Sequence, residues 1–145
     1  MRARRLYPLL LLAVFLIGCL GHLLLRPKSE AIFPYYVTFC SENVNNLLLY
    51  SLPEEGETIT FLEVSGKITH ISHAPSILSS RRDGESIRRA SLLYSDIKIT
   101  LSVSASQKDG RLSFGEKALF LGDSVTLSGK QFALSARFTE FRAAF

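Results

Sequence analysis

The chain has 145 residues, with 17 Lys and Arg against 13 Asp and Glu, two cysteines and no tryptophan. Its length leaves room for one modest core once a membrane segment is set aside, and two cysteines exclude a disulfide-framed scaffold. The net charge of +4 does not argue for nucleic acid, because cations on either side of one apolar run supply much of it and no basic stripe is interleaved with stacking aromatics.

That run covers residues 6–25, from Leu6 to Leu25, without a charged side chain. At ~1.5 Å per residue it makes a ~30 Å rod, the thickness of a bilayer's hydrocarbon core. In hydrocarbon every backbone polar group must pair internally, so the expected form is a transmembrane helix. Pro8 falls in the first turn, where a missing N–H costs little, and His22 lies near the far end, within reach of the interface. Arg2, Arg4 and Arg5 favour a cytoplasmic N-terminus; Arg26 and Lys28 beyond the run weaken that bias without reversing it. The expectation is a single-pass protein of the cell membrane, its C-terminal domain extracytoplasmic.

Two processing alternatives stand beside this signal-anchor. Leu16-Ile17-Gly18-Cys19 fits a bacterial lipobox, which would make Cys19 a lipidation site, although the apolar Leu20 to Leu25 follows where a polar tether is usual. Cys19-Leu20-Gly21 and Ser29-Glu30-Ala31 each have small residues at signal-cleavage spacing. An uncleaved span accounts better for the length of the run. Residues 1–28 are therefore assigned to a cytoplasmic lead and anchor, and residues 29–145 to one extracytoplasmic β-rich domain.

Beyond a short tether, residues 31–40 are aromatic and β-branched and read as a first strand. Cys40 lies in this strand, too far along the chain from Cys19 to pair with it, and reads as a small buried hydrophobe. Ser41-Glu42 is expected to cap a short helix carrying Val44, Leu47 and Leu48, stopped by Pro53. Glu54-Glu55-Gly56-Glu57 is a solvated turn. Residues 58–64 alternate, and Ser65-Gly66 is expected to turn the chain into a hairpin with residues 67–72. Residues 74–89 read as the least structured region, with Pro75, several serines, Asp83-Gly84 and four arginines.

The clearest strand follows: Ile97, Ile99, Leu101 and Val103 face one way, and Lys98, Thr100, Ser102 and Ser104 the other. Gln107-Lys108-Asp109-Gly110 is a turn, residues 112–114 and 118–121 are short strands, and Gly122-Asp123 breaks the chain before Val125 and Leu127. Phe132, Leu134, Ala136 and Phe138 again alternate. Short strands at this spacing with one small helix predict a mainly-β barrel or sandwich after the transmembrane helix.

Asp96-Ile97-Lys98-Ile99-Thr100-Leu101, Asp109-Gly110-Arg111-Leu112 and the stretch Leu119-Phe120-Leu121-Gly122-Asp123-Ser124-Val125-Thr126-Leu127 resemble a family of single-span bacterial proteins, domain-of-unknown-function family forty-three thirty. The resemblance implies an N-terminal transmembrane helix and an external β-rich domain, and no activity. Tyr36-Val37-Thr38-Phe39, Gly66-Lys67-Ile68 and Leu121-Gly122-Asp123 are more weakly similar to the barrels of mammalian-cell-entry lipid transporters, which would imply rings that pass lipid.

Candidate chemistry is sparse. His70 and His73, three apart on a strand, point to opposite faces, which is wrong for a shared metal. Glu54, Glu55 and Glu57 lack the alternating oxygen ligands of a calcium loop. Ser124 follows Gly122-Asp123 without the flanking glycines of a nucleophile elbow or a histidine base. Arg81, Arg82, Arg88 and Arg89 form the one charge cluster with functional promise: on a loop, each would contribute ~1 kcal/mol toward an anionic lipid or wall polymer. The alternative is a solvated loop partly neutralised by Asp83 and Glu85. The expected function is a non-enzymatic interaction or assembly module of the bacterial cell envelope, without cofactor or metal, engaging a protein partner or that anionic ligand; the alternative is a lipid-handling barrel.

Overall fold

A computed structural model describes Phe15, residues 31–82 and residues 84–144. Apart from Phe15, the apolar run with Cys19 lies outside the described residues, among which no helix is long and apolar enough to cross a membrane. The compact unit after the run is Ala31–Phe145, a small mainly-β domain with one antiparallel strand system and a single short 3-10 helix.

Eight strands build it: β1 Phe33–Asn45, β2 Thr58–Phe61, β3 Val64–Arg82, β4 Glu85–Lys108, β5 Arg111–Phe114, β6 Lys117–Leu119, β7 Ser124–Ser128 and β8 Ala133–Ala143. They pair in the order β1-β8-β7-β2-β3-β4, and β4 pairs back onto β1, so six strands close into a ring. Closure leaves the ring without an edge strand. The β5–β6 hairpin departs from the end of β4 and folds Leu112, Phe114 and Leu119 onto the core.

Period-two patterning explains why these segments are strands. Tyr35, Val37 and Phe39 of β1 point inward while Tyr36, Thr38 and Cys40 point outward. On β4 the alternation read from sequence holds: Ile97, Ile99, Leu101 and Val103 are buried. The interior is packed with aromatics, with ring centroids of Phe39 at 5.1 Å from Phe61 and 5.6 Å from Phe138, and Phe114 edge-on to Phe61 at 5.4 Å. Such contacts add about 0.5–1.5 kcal/mol each beyond burial. The ring's slenderest seam is β2 to β7, joined through the single register pair Thr60 and Ser128.

Several local expectations are corrected. β1 does not stop at Cys40; it continues through an irregularity at Ser41/Val44, with Asn43 at φ 55, to Asn45. The helix cap is therefore Asn45, whose side chain accepts from the Leu47 N–H, and the 3-10 helix is Asn46–Ser51. Cys40 is half-buried on the outer wall rather than in the core, because its neighbours at odd positions take the inner face. The β2–β3 hairpin exists, but it turns at Leu62-Glu63, both at positive φ, and not at Ser65-Gly66. Gly66 is buried within β3, packed under Leu101 and Val103.

The largest correction concerns residues 74–89. They are the distal halves of β3 and β4, paired in register from Ile77 opposite Ala90 to Arg82 opposite Glu85. Gly84, at φ +88, lies in the turn between the two halves. At ~3.3 Å per residue this hairpin projects ~20 Å as an arm.

Candidate functional site

β1 runs from its pairing of Phe33 with Ala105 at one pole to that of Asn45 with Tyr94 at the other, and the arm begins just beyond. The register jumps there: Pro75 pairs with Ser95 and Ile77 with Ala90, so Ser76 alone faces Ser91 to Tyr94. The surplus residues are thrown out as a bulge. Ser91 Oγ accepts from the N–H groups of Leu93 at 3.2 Å and Tyr94 at 3.0 Å, fixing its shape.

A polar network holds the bulge against the ring. Asp96 Oδ1 accepts from the buried Ser76 hydroxyl at 2.6 Å and from Asn43 N–H at 2.9 Å. These two donors hold the Asp96 carboxyl below its ordinary range, the hydroxyl contributing most. Asn46 Nδ2 donates to Leu92 C=O at 2.8 Å and its Oδ1 accepts from Ser95 Oγ at 2.7 Å, tying the 3-10 helix to the same place.

This scaffold presents apolar side chains to solvent. Leu92 is 91% exposed, Leu93 67%, Leu47 76% and Tyr50 90%, and Ile77 and Leu78 of the arm are also exposed. Cross-strand partners share a face, so Leu78 stands beside Arg89, while Ile77, Ser79, Arg81 and Arg88 occupy the other face. Arg81, Arg88 and Arg89 are exposed; Arg82 holds the register position opposite Glu85, and its side chain is not among those described. The four arginines are thus distributed along a strand pair instead of gathered on a loop. Among the described residues, the outer edges of the arm pair with no other strand.

Charge is divided to match. From Ala31 onward the sequence holds twelve Lys and Arg and twelve Asp and Glu. Residues 76–91 carry four arginines against Asp83 and Glu85, leaving eight cations and ten anions on the rest of the domain. The arm is a basic projection from an acidic body.

At the arm's pole a hollow of about 320 Å³ opens between the 3-10 helix and the β7–β8 turn. Tyr50, Leu52, Pro53 and Phe132 line it together with Glu54, Glu57 and Lys130. A second hollow, of about 290 Å³, lies on the β1–β8–β7 wall beside Cys40, Glu42, Ser124 and Arg137. Burial and then the Glu42 carboxylate push the Cys40 thiol up from its usual range, which keeps it protonated and a poor nucleophile.

The other sequence candidates are dispersed. His70 Nδ1 meets Glu55 Oε1 at 2.9 Å, and the same carboxylate oxygen accepts from Ile71 N–H, so that glutamate braces the 54–57 turn against β3. His73 is exposed further along β3. Among the described residues no three His, Cys, Asp or Glu converge as a metal site. The bulge was not anticipated from sequence, although Leu92-Leu93-Tyr94 carried a signal: three consecutive apolar residues cannot all face the core at period two.

The residues that carry the family resemblance map onto β4, the β4–β5 turn, and the turn that enters β7. Comparison with family models, curated proteins and solved structures found no match to this chain.

Proposed function

We propose that this chain is a single-pass membrane protein whose extracytoplasmic β domain is a non-enzymatic interaction and assembly module of the cell envelope. The observation that carries the reading is the arm with its bulge: a paired, network-braced projection that exposes Ile77, Leu78, Leu92 and Leu93 beside arginines. Several large apolar side chains exposed within one projection and bounded by polar groups mark a binding region, and unpaired strand edges template further pairing. The anchor in this reading is the helix of residues 6–25 with its N-terminus in the cytoplasm, and the family resemblance stays part of the proposal. Lipid handling through the ring of a single copy is disfavoured, because Phe39, Phe61 and Phe138 fill its interior.

The test uses the full chain in its native membrane. External protease on intact cells removes a C-terminal tag if the domain is outside; a protected tag refutes the orientation. Photoreactive residues at Leu78 and Leu92 then cross-link to protein strongly, while the same probe at Thr126 or Ser104 on the ring wall does not. Equal labelling at all four positions refutes the arm as the binding face.

A further inference from the structure

We infer that the arm of one copy clasps a second copy of this chain, laying its leucine- and arginine-bearing strands into the hollow between the 3-10 helix and the β7–β8 turn. The inference rests on the interaction-module reading and names its partner.

Three observations converge. The arm and the hollow lie at the same pole of the ring, so two copies can meet pole to pole with each arm on the other's hollow, the reciprocal contact of a two-fold dimer. Their chemistry matches. The arm offers Leu78 beside Arg89 on one face and Ile77 with Arg88 on the other; the hollow offers Tyr50, Leu52, Pro53 and Phe132 beside Glu54 and Glu57, with Lys130 on its β7–β8 side. The charge division has the sign that brings a basic arm onto an acidic body, while arm-to-arm pairing sets arginines against arginines.

The binding partner is therefore encoded in the same sequence. Tyr50 and the bulge residues Leu92 and Leu93, exposed in one copy, become covered in the pair, and the unpaired outer edges of the arm face a neighbour instead of water. An interface of this kind, apolar at its centre with charge pairs at its rim, uses the charges for register and the apolar groups for affinity.

Full-length chains in detergent micelles test this, with Cys19→Ser and Cys40→Ser removing the native thiols. Two differently tagged copies are co-expressed, one carrying Arg89→Cys and the other Glu57→Cys, and treated with a short thiol cross-linker. The expected product is a mixed dimer that requires both new cysteines. Independently, Arg88→Glu with Arg89→Glu weakens self-association about tenfold in sedimentation equilibrium, and mixing that variant with a Glu54→Arg, Glu57→Arg copy restores it. Because all four positions are exposed, each variant should keep the parent's near-ultraviolet circular dichroism, and restoration in the swapped pair shows independently that both are folded. A chain that stays monomeric at about 100 µM, or a dimer indifferent to charge reversal, overturns the inference. So does a monomer that binds anionic vesicles through the arm. Arm-centred cross-links to a different envelope protein overturn the self-partner alone and leave the interaction module standing; the loss of all arm-centred cross-links overturns both.

Discussion

Gly66→Ala is the sharpest probe of the packing. A Cβ at this position would stand 2.8 Å from Val103 Cγ1 and 3.2 Å from both Cβ and Cδ1 of Leu101. Neither neighbour can yield easily, since Leu101 is 0% and Val103 4% exposed, and both are built into β4 beneath β1. Overpacking of this kind costs about 1–3 kcal/mol. Replacing glycine also narrows the unfolded ensemble, which returns about 0.4–1 kcal/mol. The net expectation is a loss of about 1–2 kcal/mol. For a domain of this size that lowers Tm by roughly 4–8 °C, read from the tyrosine near-ultraviolet circular dichroism of the full chain in detergent. Val103→Ala alone should cost about 2 kcal/mol. In the double variant the new methyl group enters the space that valine vacates, so the combined loss should fall short of additive by about 1 kcal/mol. A Gly66→Ala protein melting within about 1 °C of the parent, or strict additivity in the double variant, would show that β3 and β4 do not approach as closely as described.

Ile99→Ala should cost about 2–4 kcal/mol through lost burial and a residual cavity, while Ser102→Ala on the outer face of the same strand should change chemical denaturation very little. Asp96 contributes through a lowered carboxyl pKa, so its stabilisation is complete at neutral pH and is lost as pH falls below about 4, through the folded-state value. Asp96→Asn should therefore be less stable than the parent at pH 7 and converge with it in acid, as measured by denaturant titration at several pH values; a constant difference across that range would contradict the network. Replacing Cys19 with Ser should leave the protein in the membrane fraction, and loss of retention or a fatty-acid mass on Cys19 would establish lipidation instead.

What was legible in the sequence was the part of the chain that feels the core. Ile97 to Val103 and Phe132 to Phe138 alternate because one face of each is buried against aromatics, and the periodicity reports that burial directly. Asp109-Gly110 was also readable, because both residues adopt positive φ and their types advertise it. The β2–β3 turn was not, since Leu62 and Glu63 adopt φ 47 and 65 without the residue types that ordinarily mark such a turn. The nearby glycine drew the prediction two residues downstream, yet it is there for close packing rather than for backbone freedom. The arm was misread for a related reason. Having left the core, residues 77–90 have no buried face to impose alternation, so their composition is that of a loop although their pairing is that of strands. The bulge that shapes the candidate surface depends on Ser76, Ser91, Asn46 and Asp96 meeting from distant parts of the chain, and no local pattern records such a meeting.

Strand β1 is hydrogen-bonded on one side to β4 and on the other to β8. A chain emerging N-terminus first therefore delivers the strand that needs two neighbours before either neighbour exists, and the second of them, Ala133–Ala143, arrives after every other strand of the domain. Until then Tyr35, Tyr36, Val37 and Phe39 stand on an open backbone ladder, a short aromatic and β-branched segment able to pair with any strand it meets. The ring cannot be assembled progressively; it is sealed once, by its final element, over contacts that are distant in sequence and slow to find. The interval between the first strand and the last is when aggregation competes most strongly with folding, and truncation within β8 should be felt first at β1, far away in sequence but hydrogen-bonded to it.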